Sequence, residues 1–117
     1  SSMFRSRFEE MVADCLNDAG CNFSYETLVL PYTVERKYKP DFILNNGIIL
    51  EVKGYWTSAD RTKHIQVRKS NPEYDIRFVF MNAHNKLNKR SNTTYADWCD
   101  KKGFKWCHRN IPKSWIQ

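Results

Sequence analysis

The sequence predicts an α/β domain with a mixed central sheet flanked by helices. Three observations lead to that class. The apolar residues Phe8, Met11, Val12, Cys15, Leu16 and Ala19 recur at helical spacing. Two apolar runs, residues 42–44 and 48–52, flank Asn45-Asn46-Gly47, a strong hairpin signal. Further on, two helical stretches alternate with short apolar runs. The resulting order, α, β, β, β, α, β, α, β, suits a sheet built with helical crossovers.

Taken in order, the first helix spans residues 4–19, with Gly20 as its stop. Residues 23–30 alternate in part and read as a strand that Pro31 ends. The stretch "PYTVERKYKP", residues 31–40, is bounded by prolines, rich in charge, and reads as an extended connector. After the hairpin, residues 58–70 begin with a capping hydroxyl and continue as a charged helix to Asn71-Pro72. "DIRFVF", residues 75–80, reads as a buried strand, and residues 84–93 as a polar loop. A short helix over 94–102 is stopped by Gly103, and a last strand lies around 104–107, before an "IPKSWI" tail.

With 117 residues the chain reads as one domain, 1–117, in which Ser1-Ser2 look like additions ahead of a start methionine. No stretch resembles a signal peptide and no apolar run approaches a membrane span, so a cytoplasmic protein without a membrane partner is expected. Cys15, Cys21, Cys99 and Cys107 form no CxxC pair; Cys15 and Cys99 read as buried thiols, and Cys107-His108 lacks a nearby fourth partner for a metal. The formal charge of +6 suits a polyanionic partner, because each neutralised phosphate releases condensed counterions. Trp56, Trp98, Trp106 and Trp115 read as core rather than as stacking platforms.

The chemistry concentrates in "YKPDFILNNGIILEVKGYW", residues 38–56. Side chains alternate across a strand, so the loop length decides whether Asp41 and Glu51 share a face. A two-residue loop sends them to opposite faces. A three-residue loop of Asn45, Asn46 and Gly47 sets Leu44 against Ile48 and therefore Asp41 against Glu51, with Cβ atoms roughly 4.5 to 5.5 Å apart. Gly47 then takes the left-handed position that this loop requires. Lys53, two residues after Glu51, projects from the same face; Ile43 and Ile49 supply an apolar floor there, while Phe42, Leu44, Leu50 and Val52 line the other face.

Facing carboxylates repel unless a cation, a proton or a partner intervenes. Lys53 alone serves in a structural salt-bridge network. The alternative is a hard divalent cation on oxygen ligands, Mg²⁺ or Mn²⁺, with the Val52 backbone carbonyl as a further oxygen. Phosphodiester hydrolysis asks for such a set, with one or two metals and a lysine that either orients the attacking water or neutralises the pentacovalent state. No small-molecule cofactor is indicated. A further carboxylate is available in the first helix: at about 100° per residue Glu9 borders the apolar stripe, whereas Glu10 points away from it.

Pro40-Asp41, nine intervening residues and Glu51-Val52-Lys53 match the PD-(D/E)xK nuclease pattern. A wider resemblance, through "SRFEEMV", "DRTKHIQVRK", "PEYDIRFVF", "TTYADWCDKKGFKW" and "IPKSWI", is to the phage endonuclease I family of Holliday-junction resolvases. That resemblance implies a restriction-endonuclease-like fold. It also implies an intertwined homodimer acting in a bacterial host, and metal-dependent cleavage of four-way and other branched DNA. It assigns Glu9, Asp41, Glu51 and Lys53 to catalysis, with Glu9 supplied by the partner chain and residues 31–40 as the dimer bridge. That connector is a few residues shorter than in the best-known member, which bears on whether segments are exchanged.

Arg61, Lys63, Arg68 and Lys69 on the helix after the catalytic strand, and Lys86, Lys89 and Arg90 in the later loop, are the expected phosphate contacts. His64 reads as an ordinary surface histidine. The competing readings are a duplex-specific nicking or restriction-like nuclease, and a catalytically silent DNA-binding module.

Overall fold

The computed structural model describes residues 3–117, so Ser1 and Ser2 lie outside the described residues. The chain forms two compact units, one ending at Glu35 and one running from Arg36 to Gln117, and each is taken by itself. In the first, α1 (Arg7–Asp18) starts where Ser6 Oγ accepts the Glu9 amide at 3.1 Å and Glu9 Oε1 accepts the Arg5 amide at 2.9 Å. This Ser6 cap starts the helix three residues later than its apolar spacing suggests. It ends in paired bonds from Gly20 to Asn17 and from Cys21 to Leu16, with Gly20 at φ 69°.

Two expectations fail in this unit. Residues 23–30 are not a strand: Glu26 turns to φ 52° within the run, and among the described residues no other segment offers it a ladder. A strand is a pairing, which alternation alone does not provide. Cys15 is exposed rather than buried, because the apolar stripe of α1 is largely uncovered: Phe8 and Met11 are exposed and Ala13 is the buried residue of the helix.

The second unit holds a four-stranded sheet in the order β1 (Phe42–Ile43), β2 (Ile48–Lys53), β3 (Asp75–Phe80), β4 (Lys105–His108). β1 and β2 are antiparallel; β2, β3 and β4 run parallel, joined by α2 (Ser58–Ser70) and α3 (Tyr95–Lys102). The mixed α/β class is therefore observed. Both crossover helices begin at capping boxes, Thr57 with Asp60 and Thr94 with Asp97, and Gly103 at φ 79° ends α3.

Burial divides between the two sheet faces. On one, Phe78 and Phe80 stack at 5.6 Å beneath Trp56, Tyr95, Cys99 and Phe104, with α2 and α3 covering them. On the other, Ile48, Leu50, Val79 and Cys107 pack on Trp115. Trp115 comes from a fourth helix, α4 (Lys113–Ile116), in the tail that carried no helix signal. Its seat is tertiary: Asn46 Nδ2 donates to the Trp115 and Gln117 carbonyls at 2.8 and 3.3 Å, while Asn46 Oδ1 accepts the Ile48 amide. Asn46→Ala is expected to cost about 1 kcal/mol and to lower the melting temperature by roughly 3–8 °C in a thermal scan.

Candidate active site

The hairpin pairs Phe42 with Leu50 and Ile43 with Ile49. Leu44 N–H donates to the Ile48 carbonyl at 2.8 Å, and Gly47 stands at φ 90°. This is the three-residue register, and it carries Asp41 to the level of Glu51. Asp41 Oδ2 accepts the Val52 amide at 2.9 Å. On the far side of β2, the Lys53 carbonyl accepts from Met81. Alternate residues of a ladder turn their amides to opposite neighbours, so Val52 directs its N–H and C=O toward Asp41.

Glu51 and Lys53 register with Phe78 and Phe80, which places both on the face covered by α2 and α3. Glu51 is 5 % exposed. Its Oε1 accepts a hydrogen bond from the Tyr38 hydroxyl, and its Oε2 lies 3.5 Å from Lys53 Nζ. Ile49 is buried beside them, but Ile43 is not the expected floor: β1 is a two-residue edge strand and Ile43 is exposed.

The two carboxyl groups are held differently. The Val52 amide foremost, then the contact with Glu51, keeps Asp41 below the usual carboxylate range. Burial foremost pushes Glu51 up; Asp41 adds to that rise, and the Tyr38 hydrogen bond and Lys53 oppose it. A cation would relieve this arrangement. The donors are hard oxygens, which fits Mg²⁺ or Mn²⁺.

An acid whose folded pKa lies above its unfolded value binds protons more readily when folded, so its ionisation reduces stability as pH rises through that interval. Glu51→Gln is therefore expected to raise the melting temperature in EDTA at pH 7 to 8 by about 2–5 °C. The gain should vanish in acid, below the carboxylate range. Added Mn²⁺ should stabilise the wild type and not the variant, which differential scanning fluorimetry reads directly.

Other expected residues are placed as follows. Glu9, on α1 in the first unit, is half-buried and accepts from Arg5, while Glu10 is exposed. Lys63, Lys69, Lys86, Lys89 and Arg90 are exposed; the half-buried Arg68 lays its guanidinium over Phe104 at 3.9 Å. Arg61 is a correction. It is buried, donates to the Trp56 carbonyl at 3.0 Å and stands over the Trp56 ring, because its position on α2 faces the sheet.

His64 is a second correction, being fully buried rather than superficial. Its ring meets Tyr38 and Phe78 edge to face at 5.3 and 4.9 Å. Burial first, then Lys53 and Lys63, depresses it to about 4, so it is neutral at physiological pH. Tyr38 is the contact that sequence reasoning missed. It lies in an irregular connector, where no periodicity marks which side chain turns inward. Its phenol is pushed up by burial and by Glu51 and stays protonated as a donor.

The whole chain, residues 1–117, matches the family model described as Phage endonuclease I. The chain belongs to the phage endonuclease I family. It is 44 % identical over 117 residues to Endonuclease I of Escherichia phage T7, covering 97 % of this chain and 78 % of that one. It is 42 % identical to Endodeoxyribonuclease 1 of Enterobacteria phage T3, covering 97 % and 77 %. Among the described residues no helix is long and apolar enough to cross a membrane.

Proposed function

We propose that the chain is a metal-dependent endodeoxyribonuclease that hydrolyses phosphodiesters at four-way and other branched DNA junctions. The observation that carries this reading is the convergence of Asp41, Glu51 and Lys53 at one end of β2, on a chain of net charge +6. The relatives bear endonuclease names, and one is named as a deoxyribonuclease. Junction preference rests on the family resemblance.

Asp41, Glu51, the Val52 carbonyl and Glu9 would hold one or two Mg²⁺ or Mn²⁺ ions. When bound, such an ion supplies Lewis acidity toward a phosphoryl oxygen and toward the attacking water. Lys53 Nζ lies 3.5 Å from Glu51 Oε2, where it donates to the attacking water or offsets charge developing on the phosphate. Lys63, Lys69, Lys86, Lys89 and Arg90 provide exposed charge for backbone contacts, which give affinity and shape reading rather than base specificity.

We also propose an intertwined homodimer with a restriction-endonuclease-like core. Two features of the first unit support it: the exposed apolar side chains of α1 and of residues 28–30, and an irregular run at 23–30 that joins no ladder among the described residues. Both suit a second copy. If the partner supplies Glu9, mixing Glu9→Ala and Glu51→Ala chains should regenerate one intact site per heterodimer and recover cleavage. An unswapped dimer would stay inactive.

The decisive assay compares a four-way junction with a linear duplex of the same sequence in Mg²⁺, with paired labels on opposing strands. Cleavage of the junction alone, on symmetrically placed strands, is expected. Equal rates on both substrates would instead assign a duplex-nicking enzyme, and binding without cleavage a silent module.

A further inference from the structure

We infer that Tyr38 is a positioning residue of this site: its hydroxyl holds Glu51 Oε1, so that the carboxylate presents Oε2 to an incoming cation. The inference rests on the nuclease reading above and concerns a residue outside the acidic and lysine motif.

The geometry supports it from both ends. Glu51 Oε1 is taken by the Tyr38 hydroxyl, whereas Oε2 meets Lys53 Nζ only at 3.5 Å. One oxygen is thus held by a hydrogen bond, and the other meets the ammonium at the longer distance. A free glutamate side chain loses rotamer freedom when ordered, and here the fold has already ordered it. Partners behind a metal ligand set its orientation and its affinity for the ion.

Tyr38 is itself held by α2. The His64 ring stands edge-on to it at 5.3 Å and 84°, and the Lys63 ammonium lies 5.4 Å from its ring centroid. His64 is fully buried, and among the described residues neither of its ring nitrogens has a hydrogen-bond partner. It therefore acts as a prop: its other aromatic neighbour is Phe78, the register partner of Glu51. The same helix that follows the catalytic strand so steers a connector residue back onto that strand.

The test is calorimetric titration of the 117-residue chain with Mn²⁺, without DNA, for wild type, Tyr38→Phe, His64→Ala, the double variant and Glu51→Ala. Tyr38→Phe keeps the ring and removes only the hydroxyl. It is expected to weaken Mn²⁺ binding by about 10-fold, to slow junction cleavage at limiting metal, and to recover at saturating metal. Junction binding in EDTA should be unchanged. His64→Ala should weaken Mn²⁺ in the same direction, and the double variant should be no weaker than Tyr38→Phe, since both act through one hydroxyl. Unchanged or tighter Mn²⁺ binding in Tyr38→Phe overturns the role of Tyr38, and strictly additive losses overturn the propping by His64. Wild-type Mn²⁺ binding that is absent, or that survives Glu51→Ala, overturns the metal-site reading and this inference with it.

Discussion

Glu51→Ala is expected to abolish Mg²⁺-dependent junction cleavage while leaving junction binding in metal-free buffer within about threefold of wild type. The substitution removes the buried carboxyl group beside Asp41 that accepts from the Tyr38 hydroxyl and faces Lys53 Nζ. Losing several kcal/mol of charge stabilisation in the transition state corresponds to at least about a thousandfold in rate. Binding should persist because the proposed phosphate contacts are exposed basic side chains of α2 and the 84–93 loop, whereas Glu51 is buried. Single-turnover cleavage of an end-labelled junction, beside a binding titration in EDTA, separates the two quantities. Undiminished cleavage would remove Glu51, and with it the site, from the chemistry.

Lys53→Met is expected to lower turnover by about 10²- to 10³-fold, the range for removing one preorganised donor from developing charge. Methionine keeps much of the side chain's length and removes the ammonium. Metal affinity should be equal or tighter, because the charge now 3.5 Å from Glu51 Oε2 opposes an approaching cation. Calorimetry with Mn²⁺ distinguishes this outcome from a collapse of the site. If affinity and turnover fell together, Lys53 would be holding Glu51 in place rather than acting on the substrate.

The two substitutions separate roles that the motif places side by side. Asp41 and Glu51 are facing carboxyl groups held unlike each other: one is anchored on the Val52 amide, the other buried under α2. This division explains why neutralising Glu51 should stabilise the metal-free protein and yet end its activity. A site that is costly to fold without its ligand is a common consequence of building charge into a core.

Much of this architecture was legible beforehand. Residues 58–70 and 75–80 form the helix and strand that their spacing and turn residues indicate. The observed cap of α2 is Thr57, one residue earlier than expected. The length of Asn45-Asn46-Gly47, with a glycine in its left-handed slot, is enough to set Asp41 level with Glu51, and the observed register agrees. Such features depend on backbone sterics and on hydrogen bonds within a few residues, so a short window of sequence contains their causes.

Other features had no local cause to read. Arg61 and His64 sit in a charged helix whose composition suggests solvent on all sides, yet the crossover from β2 to β3 turns both toward Phe78 and Trp56. Tyr38 finds Glu51 across thirteen residues of irregular chain and a hairpin. Residues 23–30 alternate like a strand but have, among the described residues, no neighbour to complete the ladder. By itself, the sequence determined the hairpin register, the helix over 58–70 and the alignment of two carboxylates with a lysine, because these follow from local geometry. Tertiary structure alone decided which basic side chains are buried and which phenol holds Glu51, because burial and long-range contact depend on what the crossovers bring together.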